Sequence, residues 1–201
     1  MKTALLVLTL VGLGGCSVPV NPQGDAALAE TAQKPRDSSK DAAAISKLHP
    51  NVVAVDSQAF ATPPRLVITL KGAGWSESDI LYGFASDAAA VLNKMAKKKL
   101  IPSDQGITYI LRVESESGGQ TQERNVLHVA LDQQVVKSVA GGGDISAQAL
   151  LDSAAAEFNG RMGRDIAEKF CSDDKYQGAG GVLRTVEFCG YALGDQDSSS
   201  S

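Results

Sequence analysis

The sequence predicts an α+β domain, specifically a ferredoxin-like βαββαβ sandwich in which one sheet carries both helices on one face. Three observations lead there. Stretches with apolar residues at every second position occur at 65–71, 107–114 and 125–132, which is the period of a half-buried strand. Two longer stretches repeat their apolar residues at helical spacing. The two kinds of stretch then follow one another as strand, helix, strand, strand, helix, strand.

Pro63-Pro64 precedes the first clear strand, Arg65 to Lys71, where Leu66, Ile68 and Leu70 alternate with Val67 and Thr69. A weaker edge strand is expected at 51–55. After Gly72-Ala73-Gly74, Ser76 and Asp79 approximate a capping box, and Ile80, Phe84, Ala88, Val91 and Met95 mark a helix that Lys97-Lys98-Lys99 closes. Ile107, Tyr109, Leu111 and Val113 define a strand that the polar loop 115–123 turns back into a third, 125–132. A short strand is expected at 135–139. Past Gly141 to Gly143, one long helix is expected over 146–170 on the stripe Leu151, Ala155, Phe158, Met162, Ile166 and Phe170, with Gly160 and Gly163 marking a kink or a close backbone approach. A last strand at 182–193 completes the order.

The chain has 201 residues, 43% hydrophobic and 21% charged, which suits one folded domain with tails. Its net charge of -4, without a basic stripe, argues against nucleic acid as a partner. Residues 16–50 are poor in aromatic and large aliphatic side chains and are expected to form a disordered tether, with a transient helix near 41–48. The domain is then expected over 51–194, and 195–201, ending in four serines, as a second disordered end.

At the N-terminus, Lys2 and the apolar run Ala4 to Leu13 have the make-up of a secretory signal over residues 1–15. The tetrapeptide Leu13-Gly14-Gly15-Cys16 resembles the lipobox of bacterial lipoproteins. That resemblance implies cleavage before Cys16, lipidation of its thiol and a new acylated amino group, hence stable attachment to a membrane. Ser17 after the Cys, where inner-membrane lipoproteins often carry Asp, implies an outer-membrane address in a Gram-negative host, with the domain expected to face the periplasm rather than the cell surface.

Removing Cys16 from the thiol count leaves Cys171 and Cys189, expected as a disulfide in an oxidising compartment and closing a loop of 18 residues. On a regular strand Phe188 and Cys189 would face opposite ways, so this pairing asks for a bulge near Gly190 or an earlier strand end.

Catalytic motifs are not legible. His49 and His128 are the only histidines; no serine sits in a GxSxG elbow; the glycine-rich runs lack the endings of phosphate loops; and no metal-ligand or cofactor pattern occurs. Glu114 with Glu116, and Asp173-Asp174, read as solvated loop charge, and Trp75 and Tyr191 as packing residues or partner anchors. The predicted fold leaves one sheet face, carrying Val67, Thr69, Ile110, Arg112, His128 and Ala130, without helices, a half-apolar candidate interaction face. The expected function is therefore non-enzymatic: an accessory or assembly component of an envelope protein complex of the secretion or conjugation type, anchored by lipid. A periplasmic hydrolase or small-ligand binder with a discontinuous site, and a toxin-immunity lipoprotein, are the alternatives.

Overall fold

A computed structural model describes residues 38–194 of the chain. Its elements in order are α1 (Ser38–Ile45), β1 (Val52–Gln58), β2 (Arg65–Lys71), α2 (Glu77–Lys97), β3 (Gly106–Ser117), β4 (Gln120–Leu131), α3 (Gln133–Ala140), α4 (Ala147–Asp152), β5 (Ala155–Phe158), α5 (Gly160–Cys171), α6 (Asp174–Gln177) and α7 (Val186–Leu193). The fold is α+β with one open, mixed sheet.

The five strands lie side by side in chain order, and every neighbouring pair is antiparallel except β2 and β3. Parallel strands need a long crossover, and α2 supplies it. Its start is fixed by Ser76, whose Oγ accepts from the Asp79 amide, with Glu77 and Asp79 in the first turn and Lys94 and Lys97 in the last. Its buried stripe, including Leu81, Phe84, Ala88, Val91 and Met95, faces the sheet rows built on Ile68, Tyr109 and Val129, which stand in register on the three central strands. The Tyr109 hydroxyl is buried among them with no hydrogen-bond partner among the described residues, and burial pushes its pKa upward.

The sheet order departs from the ferredoxin-like one. In a split unit a further strand separates the two that flank the first helix, whereas here β2 and β3 pair directly along Arg65↔Gly106 to Lys71↔Arg112. Three local expectations fail with it. The stretch expected as a strand at 135–139 is α3, because the Asp132 carboxylate caps the amides of Gln134 and Val135 and turns Val136 and Val139 onto one buried helical face. The long helix expected over 146–170 is broken into α4, β5 and α5: Ser153 ends the first, Ala155–Phe158 pairs with β4, and Gly160 takes a left-handed φ of 65° at the first residue of α5. The strand expected over 182–193 is irregular up to Thr185 and then forms α7, closed by Gly194 at φ 84°. On a helix Phe188 and Cys189 are adjacent positions of one inward sector, so the conflict between them disappears.

The packed part of the chain also begins before residue 51. Ile45 and Leu48, placed in the expected tether, are buried in the core, and Lys94 Nζ donates to the Leu48 carbonyl at 2.9 Å. His49 Nε2 stands 3.4 Å from Asp87, and Asn51 donates to the same carboxylate at 2.6 Å, so this segment is fastened to α2. Residues 1–37 and 195–201, which hold the expected signal segment, Cys16 and the serine-rich end, lie outside the described residues.

Candidate functional site

The ladders place the six candidate face residues on one side of the sheet. Val67, Thr108, Ala130 and Ala155 form one row across β2 to β5; Thr69, Ile110, His128 and Glu157 form the next. Arg112 starts a third, where the ladder shifts after Leu111 and sets it opposite Asn125; its Nε donates to Asn125 Oδ1 at 3.0 Å and its Nη1 to Glu123 Oε2 at 3.3 Å. The helices stack on the other side: α5 and α4 touch α2, α3 touches α2, and α6 and α7 touch α5. Thr69 is buried, and Val67, Ile110, Arg112, His128 and Ala130 are half-buried.

His128 sits on this face between Glu157 and Asn159. Nδ1 lies 3.6 Å from the Glu157 carboxylate, and the Asn159 amide nitrogen lies 3.0 Å from Nε2.

A second feature arises because β3 and β4 outrun their neighbours. The last residue of β3 paired with β2 is Arg112, opposite Lys71, yet β3 continues to Ser117 and β4 begins at Gln120. The surplus forms a two-stranded arm closed by Gly118 and Gly119, at φ 61° and 77°; both central residues are left-handed, as a type I′ hairpin turn requires. At its base the carboxylates of Glu114 and Glu123 face each other across the strands. Lys71 at 2.6 Å from Glu114 and Arg112 at 3.3 Å from Glu123 neutralise them.

Between the arm and the helices lies a groove of about 620 Å³ with Ile80, Val113, Met162 and Ile166 among its apolar lining and Trp75 at its edge. Trp75 is fully exposed. The sequence did not reveal this groove because its walls come from residues 75–80 at the start of α2, both strands of the arm and α5. The signal that was there is Trp75 itself, an aromatic side chain belonging to neither an alternating strand nor a helical stripe.

Beside the groove, α6 is stapled to the start of α2. The Tyr176 hydroxyl and Lys175 Nζ, the latter at 2.8 Å, both donate to Asp79 Oδ1, and the Tyr176 ring stacks on Tyr82 at 5.0 Å and Phe170 at 5.5 Å. Lys175, then Tyr176 and Ser76, hold the Asp79 carboxyl well below the usual carboxylate range. A depressed folded-state pKa contributes stability above the ordinary value of 3.8 that is lost as the pH falls through and below it. Denaturant midpoints are therefore expected to drop between about pH 4 and pH 2 partly through this group, and Asp79→Asn should flatten that limb. An acid limb identical in the variant would show that Asp79 carries none of it.

Cys171 and Cys189 are joined as a disulfide with Cα atoms 5.4 Å apart, linking the end of α5 to α7. Among the described residues, no three His, Cys, Asp or Glu side chains gather as metal ligands would, and no helix is long and apolar enough to cross a membrane. Comparison with family models, curated proteins and solved structures finds no match to the chain.

Proposed function

We propose that the chain is a non-enzymatic outer-membrane lipoprotein, lipidated at Cys16 and facing the periplasm, that docks as an accessory or assembly component of an envelope protein complex of the secretion or conjugation type. The observation that carries the reading is the sheet face: rows of Val67, Thr69, Ile110 and Ala130 on the side of the sheet away from the helices, with its histidine held by Glu157 and Asn159. A half-apolar face of this kind can bury its area against another protein at about 25 cal/mol per Å² of apolar surface. The resemblance of Leu13 to Cys16 to a lipobox supports the anchor. A small-ligand-binding lipoprotein is the second reading, and the groove beneath the arm favours it.

Copurification from detergent-solubilised envelopes tests the first reading. A stable partner should come down with the intact protein and be lost with Ile110→Glu, which places a carboxylate in the middle of the face. Recovery of the protein alone, or a partner retained by that variant, would sink the sheet-face reading. Cys16→Ser should move the protein from the membrane to the soluble fraction; unchanged retention would remove the anchor.

A further inference from the structure

We infer that the groove beneath the β3–β4 arm is a docking site for an extended peptide segment of a partner protein, one that presents apolar side chains and a carboxylate on the same face. The inference deepens the docking reading and rests on it, but it uses a surface other than the sheet face.

The backbone comes first. Beyond Arg112, the edge of β3 that β2 had covered is paired with no other strand among the described residues, because the chain leaves β2 at Gly72 and turns toward α2. A free edge is a template for one more strand, and a peptide lying there would continue the line of β2 alongside Val113–Ser117. The groove then receives its alternate side chains. Val113 and Arg124, cross-strand partners on the arm, line it from one side, and Met162 and Ile166 of α5 from the other. The α5 wall from Arg161 to Lys169 runs about 12 Å, the span of roughly four extended residues.

Charge selects among peptides. The three groove carboxylates already have cations: Glu77 is paired with Lys169, Asp165 with Arg161 at 3.6 Å, and Glu114 with Lys71 at 2.6 Å. Arg124 has only a neutral partner among the described residues, the Gln122 side-chain oxygen at 3.2 Å. The charge left for a ligand is therefore a guanidinium, which is suited to a carboxylate. Trp75, fully exposed at the edge, supplies a large rigid surface that ordering against a peptide would bury.

The chain contains a single Trp, so its fluorescence reports on this site alone. The probe is the acetylated and amidated hexapeptide Ser-Val-Thr-Asp-Thr-Val, whose two valines and aspartate share one face when extended; the control carries lysine for aspartate. Titrated into the full chain in detergent, the acidic peptide should shift the Trp75 emission to the blue saturably and bind at least about tenfold more tightly than the control, a difference of about 1.4 kcal/mol. Hydrogen exchange should slow at amides of Val113–Ser117. Arg124→Glu should reverse the preference, and Arg124→Gln, the milder change at an exposed position, should abolish it. Emission unmoved by the peptide, or a preference unchanged in both variants, overturns the proposal. So does a blue shift that follows protein concentration together with a dimer mass, or one produced only by phosphatidylglycerol vesicles, since the occupant is then a second copy or a lipid surface. Failure here with Ile110→Glu still abolishing copurification removes the groove and leaves the sheet face; the converse removes the sheet face alone.

Discussion

Gly163→Ala is expected to cost about 3 kcal/mol or more, a severe loss for a domain whose whole stability is on the order of 5–15 kcal/mol. A Cβ on Gly163 would stand 1.9 Å from the carbonyl oxygen of Val126 and 3.0 Å from its carbon. The obstacle is backbone, so no side-chain rotation relieves it. Val126 lies where the β3–β4 ladder shifts register, and its carbonyl already accepts from the Asn159 amide at 2.8 Å, which ties it to the turn that starts α5. Relief requires α5 to move off β4, and α5 takes the buried Ile166, Ala167 and Phe170 with it. Gly160 provides the contrast. It has nothing within 4 Å of the added carbon but a φ of 65°, so alanine there should cost only about 1–2 kcal/mol, the ordinary strain of a left-handed residue. Urea unfolding of both variants checks the pair; equal losses would show that α5 is not held against Val126 in solution.

Removing the disulfide, by reduction or as Cys171→Ser with Cys189→Ser, is expected to cost about 3 kcal/mol in the chain-entropy model for a loop of 18 residues. The loss should be concentrated at the C-terminal end. α7 is a helix of eight residues, too short to persist unsupported, and it exposes Val186, Tyr191 and Leu193. Its remaining attachments include Phe188, packed edge-on against Phe158 at 6.0 Å and Phe170 at 6.3 Å, the Phe188 amide donating to Asp152 at 3.2 Å, Tyr191 stacked on Phe158 at 5.6 Å, and the buried Ala192. Hydrogen exchange should therefore accelerate first in Val186–Leu193 when the bond is reduced, ahead of α2 and the central strands. Uniform acceleration across the domain would show instead that the bond acts only through the unfolded chain.

Elements that carry their own local chemistry were legible in the sequence. β2 and α2 each combine a clean period with a stop signal, and Ser76 caps α2 where the sequence places it; the β3–β4 pairing was legible too, but the polar loop expected over 115–123 is strand on both sides of a two-residue turn at Gly118-Gly119, because cross-strand pairing extends polar residues that carry no apolar period. The alternation also assigned Val67, Thr69, Ile110, His128 and Ala130 to one face, because a period of two fixes sides regardless of which strands become neighbours. The illegible part is what partners impose. Ala155–Phe158 is too short to announce itself and is extended only because β4 has a free edge to pair with. In 182–193, Val182, Val186 and Phe188 suit a strand, yet the disulfide and the Phe188 contacts hold the end of this stretch as a helix. Ile45 and Leu48 were hidden by polar neighbours, since two buried residues in a polar stretch leave little compositional trace. The groove went unseen for a similar reason: its walls belong to separate elements.

The order of the strands has a consequence for how the chain reaches this state. Each strand pairs with the one before it in sequence, so no ladder has to wait for a distant end of the chain. β3 and β4 can zip from a two-residue turn, and β1 with β2 across a short loop, on the microsecond timescale typical of hairpins. The two hairpins are then joined by the parallel β2–β3 seam once α2 spans the gap, and that docking closes the longest loop within the sheet. The seam between preformed hairpins is thus the natural rate-limiting step, and α2, which crosses it, the natural place for a folding nucleus.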